Sequence, residues 1–149
     1  MEYVIADVLE YHFPENAKLV IIAHICNNVD KFGAGFAKQV ALKYPLAKET
    51  YHLASQELGN ISLVKVEEYK FICNMIAQDG VGKNKKPIRY DALKECLMKL
   101  KNICKKKDIY IVMPKIGTGL AGGDWEIISE IIEETLSPIP VIICLKENQ

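Results

Sequence analysis

A continuous apolar run, LVIIAHIC at residues 19–26, constrains the fold more than any other feature of this chain. Runs without polar alternation are typical of interior strands in parallel sheets, because helices cover both faces of such strands. Residues 3–6 form a shorter run of the same kind, and residues 109–113 also indicate a buried strand. We therefore predict an α/β unit in which several strands are parallel and buried.

Helical patterns separate these apolar runs. Apolar residues recur at helical spacing from Gly35, Pro45 breaks or kinks that helix, and a second helical pattern follows at residues 46–58. Further strands are predicted at residues 61–66, 71–76 and 141–145, and the polar residues 78–87 predict a surface loop. The two remaining helices each present one apolar face, formed by Tyr90, Leu93, Leu97, Leu100 and Cys104 in the first and by Ile128, Ile131, Ile132 and Leu136 in the second. The predicted order of elements is ββααββαβαβ.

Composition narrows the class of protein. With 149 residues, of which 50% are apolar, the chain has the size of a single domain, residues 1–149, and is not intrinsically disordered. Its 19 basic residues balance its 19 acidic ones, which argues against a protein that coats nucleic acid or an anionic membrane, so any polyanion site must be local. The longest apolar run, residues 19–23, is too short to span a bilayer, and no signal-peptide pattern is present, so we expect a soluble cytoplasmic protein. The five scattered cysteines form no zinc motif and predict buried, reduced thiols.

Two glycine-rich turns join predicted strands to predicted helices, at the position where α/β sheets bind ligands. The first is Gly33-Ala34-Gly35, and the second spans residues 117–123. Glycines let backbone N–H groups approach a phosphate, and a following helix N-terminus adds positive charge, so two such loops suit a diphosphate. The alternative is that the glycines only turn the chain. The Rossmann fingerprint fails at Lys38, and the P-loop fingerprint fails at Ala77 and Asn84.

Polar residues inside apolar strands or at their ends are candidate site residues, because burying them is costly unless they are paired or functional. Asp7 either accepts a hydrogen bond from an exocyclic amine such as adenine N6 or caps the next turn. His24 is either a satisfied core residue or an acid or electrostatic partner for a phosphate. Asn27 suits a ribose diol or a turn. Asp124 caps the last helix or orients water beside the second loop, and Trp125 stacks on a ligand or packs in the core.

These segments together resemble the macro domains, a family of ADP-ribose-binding modules, over essentially the whole chain. Asp7 is similar to the aspartate that selects adenine, and Cys26-Asn27 is similar to the strand end whose asparagine meets the distal ribose. Gly33-Ala34-Gly35 resembles the first loop of the family, and Ile116-Gly117-Thr118-Gly119-Leu120 resembles its pyrophosphate loop. The resemblance implies a three-layer α/β/α sandwich with a mixed, largely parallel central sheet.

The resemblance is closest to the subgroup that contains ADP-ribose 1″-phosphate phosphatases and terminal ADP-ribose glutamate hydrolases. By alignment, Gln78 stands where these hydrolases carry a lysine, and Ala121 stands where they carry an aspartate. A glutamine cannot form the covalent imine adduct, so Asp124 or a loop lysine, Lys83, Lys85 or Lys86, would have to replace the pair. The phosphatase branch has a histidine at the position of His24 and does not require the lysine. The resemblance therefore favours the phosphatase.

We predict a protein that binds ADP-ribose and hydrolyses ADP-ribose 1″-phosphate to ADP-ribose and phosphate, with water as nucleophile and without a metal or a cofactor. The alternatives are a hydrolase that removes ADP-ribose from modified protein or nucleic acid, a non-catalytic reader of ADP-ribose on a partner macromolecule, and an α/β protein of unrelated function. No membrane and no sequence-specific nucleic acid is expected as a partner. The predicted catalytic residues are His24 and Asp124, and the predicted ligand-binding residues are Asp7, Cys26, Asn27, Gly33, Ala34, Gly35, Phe36, Gln78, Ile116, Gly117, Thr118, Gly119, Leu120 and Ala121.

Overall fold

The fold is described from a computed structural model that covers residues 1–13, 17–82, 86–105, 108–119, 121–147 and 149. These residues form the strands β1 (Glu2–Ile5), β2 (Leu19–Asn27), β3 (Ile61–Glu67), β4 (Lys70–Gln78), β5 (Ile109–Pro114) and β6 (Val141–Leu145). They also form the helices α1 (Gly35–Lys43), α2 (Pro45–Leu53), α3 (Tyr90–Ile103) and α4 (Trp125–Leu136). The predicted order of elements is therefore confirmed.

The strands make a mixed sheet in the order β1-β6-β5-β2-β4-β3. Neighbouring strands are parallel except β3 and β4, which are antiparallel. β2 lies between β4 and β5, and its residues 20–24 are buried, as predicted for a strand covered on both faces. The same prediction is wrong for residues 3–6, because β1 is an edge strand and Ile5 is 70% exposed. A short apolar run does not by itself distinguish an edge strand from an interior one.

Two helical layers cover the sheet. On one face, Ile21 of β2 belongs to a buried cluster with Leu97 of α3 and Ile128 of α4. On the other face, Ile22 of β2 belongs to a second cluster, to which α1 contributes Val40. Burying one such side chain completely contributes about 1.5–3 kcal/mol, so both layers are held to the sheet by apolar burial. The predicted three-layer α/β/α sandwich is confirmed.

The helical pattern after residue 45 ends earlier than predicted. Pro45 is the first residue of α2, so the chain begins a new helix there rather than continuing α1. The prediction that this second helix extends to residue 58 is wrong, because α2 ends at Leu53 and Gly59 adopts a φ of +90°. Leu58 packs against both clusters from the connecting segment instead. Within the described residues, no helix is long and apolar enough to cross a membrane.

The topology positions a ligand site. Because β1, β6, β5, β2 and β4 are parallel to one another, their carboxyl ends meet at one edge of the sheet. Segments 6–13, 28–34, 79–82 and 115–119 follow four of these strands and therefore leave the sheet at that edge. Ligands in open α/β sheets bind outside the carboxyl ends of the strands. Both glycine-rich turns begin in these segments.

Replacing Gly117 with alanine is expected to lower the free energy of unfolding by about 1–3 kcal/mol. Gly117 has a φ of +75°, and an added Cβ would lie 2.7 Å from Ile88 Cδ1 and 2.8 Å from Ile128 Cδ1. Urea unfolding of the variant measures the loss. Gly119→Ala is the matched control, because Gly119 has no left-handed conformation and no atom within 4 Å of an added Cβ. Equal stabilities of the two variants would contradict the prediction.

Candidate functional site

A cleft of about 1060 Å³ opens at the carboxyl edge of the sheet. Its volume is at the upper end of the range for small-molecule sites, which is about 300–1,000 Å³. Two predicted site residues do not belong to the lining described: Leu120 lies outside the described residues, and Asp124 is not a lining residue. The structure brings all the others together in the cleft, namely Asp7, His24, Cys26, Asn27, Gly33, Ala34, Gly35, Phe36, Gln78, Ile116, Gly117, Thr118, Gly119 and Ala121.

The first glycine loop leads directly into α1, whose N-terminus borders the cleft. Ala34 is the N-cap residue, and its methyl side chain accepts no hydrogen bond from the first turn. The first turn also contains no acidic residue. The leading N–H groups of a helix have no partner within the helix, and the helix dipole adds positive charge there. This end of α1 therefore has the properties of an anion site.

The second glycine loop ends differently from the first. The Asp124 carboxylate accepts a hydrogen bond from Glu126 N at 2.9 Å, so it caps α4 as one interpretation predicted. The Tyr90 hydroxyl accepts a hydrogen bond from Asp124 N at 3.0 Å, which anchors the backbone of the cap. Gly122, with a φ of +71°, turns the chain before this point. The N-terminus of α4 therefore carries its own carboxylate, and Asp124 is not a lining residue of the cleft.

Asp7 follows β1 at one end of the cleft. Its Oδ1 accepts a hydrogen bond from Leu9 N at 2.9 Å, so the carboxylate caps the turn that follows the strand. The residue is exposed and lines the cleft. A carboxylate has a second oxygen, so capping leaves capacity for a further donor such as an exocyclic amine.

Asn27 organises the loop after β2. Its Oδ1 accepts hydrogen bonds from Val29 N, Lys31 N and the Tyr51 hydroxyl, at 3.1, 3.2 and 2.8 Å. Its Nδ2 donates to Lys31 O at 2.6 Å, which leaves one amide hydrogen for another partner. Asn27 therefore does form the turn, as one interpretation predicted. Only the remaining Nδ2 hydrogen is left to contact a ribose oxygen. Sequence reasoning missed Tyr51, which gives no motif signal because it reaches Asn27 from α2.

His24 is buried on the face of β2 that meets α1 and α2. Its Nε2 lies 2.6 Å from Asn74 Oδ1 on β4, and the two residues are paired in register. Burial, opposed by this hydrogen bond, lowers the pKa of His24 to about 4, so the imidazole is neutral at pH 7. The ring also makes edge contacts with the Phe32 and Phe36 rings. Sequence reasoning missed Asn74, although a fully buried asparagine inside an apolar strand was a detectable signal.

Gln78 lies at the opposite end of the cleft from Asp7. It ends β4, and its Nε2 donates to Gly80 O at 3.2 Å. Asn28 fixes the following segment, since its Nδ2 donates to Asp79 Oδ1 at 3.0 Å and its Oδ1 accepts from Gly80 N at 2.8 Å. This rim is therefore held by the loop after β2. The predicted loop lysines 83 and 85 lie outside the described residues, and Lys86 is exposed.

Two further side-chain interpretations are decided by packing. Trp125 packs against the apolar cluster beneath α3 and α4 and meets the Tyr3 ring edge-on, with centroids 6.4 Å apart. It is not a lining residue of the cleft, so Trp125 packs in the core and does not stack on a ligand in the cleft.

The five cysteines are unpaired thiols, of which Cys104 is half-buried and the others are buried, as predicted. Burial raises the pKa of the Cys26 thiol, so this cleft residue is protonated at neutral pH.

The charges around the cleft are mixed. Lys31, Lys115 and Lys146 line it, and so do the carboxylates of Asp7 and Glu147. Cationic and anionic groups thus both face the cleft in a chain with no net charge. Among the described residues, no group of three or more histidine, cysteine or acidic side chains is arranged to hold a metal ion.

No family model matches the chain. A protein of unknown function from Bacteroides thetaiotaomicron is 34% identical to it, with a TM-score of 0.87, and the match covers 97% of this chain and 96% of the other. A macrodomain protein from Streptomyces coelicolor is 29% identical, with a TM-score of 0.79, over 96% of this chain and 97% of its own. The chain belongs to the macro domain family. The resemblance predicted from the motifs is therefore confirmed.

A relative of this macro domain carries an enzymatic name. The ADP-ribose 1″-phosphate phosphatase of Lodderomyces elongisporus is 26% identical over 147 residues, which cover 90% of this chain and 91% of the relative.

Acid is expected to destabilise this macro domain through His24. Its pKa is about 4 in the folded chain and near 6.5 in the unfolded chain, so between these values the unfolded chain binds the additional proton. The contribution of His24 to the free energy of unfolding is therefore fully present above its pKa in the unfolded chain. It is lost as the pH falls toward the pKa in the folded chain, and the loss is at most about 3 kcal/mol. Urea unfolding across this pH range measures the slope. His24→Gln retains a donor toward Asn74 and lacks the titrating ring, so a slope as steep as in the wild type would count against this assignment.

Proposed function

We propose that this macro domain binds ADP-ribose and hydrolyses ADP-ribose 1″-phosphate to ADP-ribose and phosphate. The observation that carries the proposal is the pair of glycines, Gly33 and Gly119, on opposite glycine loops of the cleft. Neither has a left-handed φ, and an added Cβ would meet no atom within 4 Å at either position. The fold therefore does not require glycine there. A ligand group that approaches the backbone closely does require it, and a diphosphate is such a group.

The length of the cleft supports an extended nucleotide. Asp7 follows β1 and Gln78 ends β4, and these strands are four positions apart in the sheet. At the usual spacing between strands this separation is about 19 Å. The diphosphate would lie between the two ends, over the loops that follow β2 and β5. Adenine would then lie at Asp7, whose free carboxylate oxygen accepts a hydrogen bond from N6, and the distal ribose would lie near Asn27.

The chemistry of the distal end supports phosphate hydrolysis. The first turn of α1 and Lys31 offer positive charge to a terminal phosphate. In the proposed reaction a water oxygen bonds to phosphorus as the bond from phosphorus to the oxygen on C1″ breaks. One water proton ends on that leaving oxygen, and the other stays on the released hydrogen phosphate. Water is the nucleophile because burial raises the pKa of Cys26, the thiol nearest His24, and keeps it protonated.

The name of the Lodderomyces relative supports the same substrate. The exposed, cap-forming position of Asp124 gives no support to a hydrolase that uses this residue to release ADP-ribose from a macromolecule. Gln78, which has no ionisable group, gives none either.

Gly33→Val and Gly119→Val are expected to weaken ADP-ribose binding at least about tenfold, or ~1.4 kcal/mol, without lowering stability, because the added methyl groups occupy the space of the diphosphate. Isothermal titration measures the affinity, and thermal unfolding measures both stability and its increase with ligand. Gly33→Ala, with a smaller side chain, should lose less affinity. Wild-type protein that does not bind ADP-ribose, or Val variants that bind it normally, would refute the proposed position of the diphosphate.

Asp7→Asn is expected to raise KM for ADP-ribose 1″-phosphate about tenfold with kcat unchanged, because Asp7 acts on the adenine and not on the reacting phosphate. The asparagine oxygen can still cap the turn, so folding is preserved. Asp91→Asn is the matched control, since Asp91 also accepts a hydrogen bond from a nearby backbone N–H, that of Ala92 in α3. Phosphate release gives the rates, and ADP-ribose release from modified protein and DNA is measured in parallel. Binding of ADP-ribose without any phosphate release would favour a non-catalytic reader of ADP-ribose. Release of ADP-ribose would favour a hydrolase that acts on modified protein or nucleic acid.

A further inference from the structure

A chain of buried hydrogen bonds links the cleft, through β4, to helix α2 and the edge strand β3. His24 Nε2 meets Asn74 Oδ1 at 2.6 Å. Asn74 Nδ2 donates to Ala47 O in α2 and to Ser62 Oγ in β3, each at 3.1 Å. Asn74 is fully buried, and no buried side-chain nitrogen or oxygen among the described residues lacks a hydrogen-bond partner. The chain is therefore fully satisfied, and each of its members restricts the next.

The partners of Asn74 determine the orientation of its amide. Ala47 O is a carbonyl oxygen and only accepts, so the amide nitrogen must face it. The amide oxygen then faces His24, and an oxygen of this kind only accepts as well. His24 Nε2 must therefore carry the hydrogen. In a neutral imidazole the other nitrogen, Nδ1, is then unprotonated and accepts.

We propose that Asn74 is a positioning residue that fixes this tautomer, so that His24 Nδ1 accepts a hydrogen bond from the water that attacks the phosphate. This inference rests on the proposed phosphatase function and assigns the orientation of its nucleophile. His24 lines the cleft, and its Nε2 is turned toward the fully buried Asn74. Nδ1 is the ring nitrogen that remains for water. Among the described residues, the hydrogen-bond contact of Nδ1 is with Cys26 Sγ at 4.0 Å, and a thiol is only a weak donor.

The surroundings of the ring favour a neutral acceptor. The groups that face it are the Cys26 thiol from its own strand, the Asn74 amide from β4, and the Phe32 and Phe36 rings from the first loop and α1. Of these only the thiol titrates, and burial keeps it protonated. A neutral imidazole is a weak base, but phosphoryl transfer has a loose transition state that depends on orientation more than on early proton removal. Holding the water in line is therefore the contribution required of His24.

Nitrogen-15 NMR of the histidine rings tests the tautomer without any turnover. We expect His24 at neutral pH to show a protonated Nε2 and an unprotonated Nδ1 in long-range proton–nitrogen spectra. His12→Gln and His52→Gln identify the His24 signals by removing the other two rings, both of which are exposed. A proton on Nδ1, or a charged ring at neutral pH, would overturn the inference.

Asn74→Asp tests the positioning role by kinetics. The carboxylate is nearly isosteric and stabilises a charged imidazole, whose Nδ1 then carries a proton and cannot accept from water. We expect kcat for phosphate release to fall about 100-fold at neutral pH and to recover as the pH rises and the ring loses this proton, with the affinity for ADP-ribose nearly unchanged. The kcat of the wild type should show no such rise between about pH 5 and 8. A variant with the wild-type pH profile would overturn the inference.

His24→Gln covers the case in which the Asn74 variant does not fold. The glutamine amide can still donate to Asn74 but offers no nitrogen acceptor at the position of Nδ1, so we expect kcat to fall about 100-fold with KM unchanged. His12→Gln, at an exposed residue of the segment after β1, is the control and should retain wild-type rates. Wild-type kcat in the His24 variant would overturn the inference alone. Wild-type protein that binds ADP-ribose and releases no phosphate would instead overturn the proposed function.

Discussion

The structure depends on β2, because two strands bond to it and the apolar clusters on both faces of the sheet include its side chains. Its register with β4 places His24 opposite Asn74 and brings the strand to an end at Asn27. The pairing shifts by one residue between Cys26 and Asn27, and such irregularities commonly redirect side chains next to functional sites. The same strand thus supplies the centre of the core and the floor of the cleft.

The cleft combines rigid and open features. The Asn27 side chain makes most of its hydrogen bonds to the backbone of the loop that follows it. Asn28 connects that loop to the rim after β4. These contacts pre-organise the walls, so less conformational entropy is lost when a ligand binds. The loop glycines Gly33 and Gly119 leave open space between those walls. Binding of an extended diphosphate thus needs little rearrangement of the parts that the structure describes.

Much of this arrangement could be predicted from the sequence. Periodicity identified the buried strand β2 and the faces of α3 and α4, because an apolar stripe reports burial directly. It failed at β1 and at the end of α2, where sheet order and a left-handed Gly59 decide the outcome. The loop motifs located the cleft, since they are contiguous in the chain.

The partners of the site residues could not be predicted in the same way. Asn74 and Tyr51 lie 50 and 24 residues from the groups that they contact, and only the register of β4 and the position of α2 bring them there. The capping carboxylate of Asp124 was predicted, but its anchoring by the Tyr90 hydroxyl was not, because Tyr90 lies 34 residues earlier in the chain. The roles of single residues could thus be predicted from the sequence, whereas the contacts between distant residues could only be seen in the structure.

The uncapped N-terminus of α1 has a consequence for how freely this protein can vary. The positive potential at that end comes from main-chain N–H groups, which every residue except proline carries. Surface lysines and carboxylates can therefore be exchanged, and the overall charge can drift in either direction, while the preference for an anion at this loop is retained. Selection on the site then acts on the size of a few side chains and on the path of the backbone.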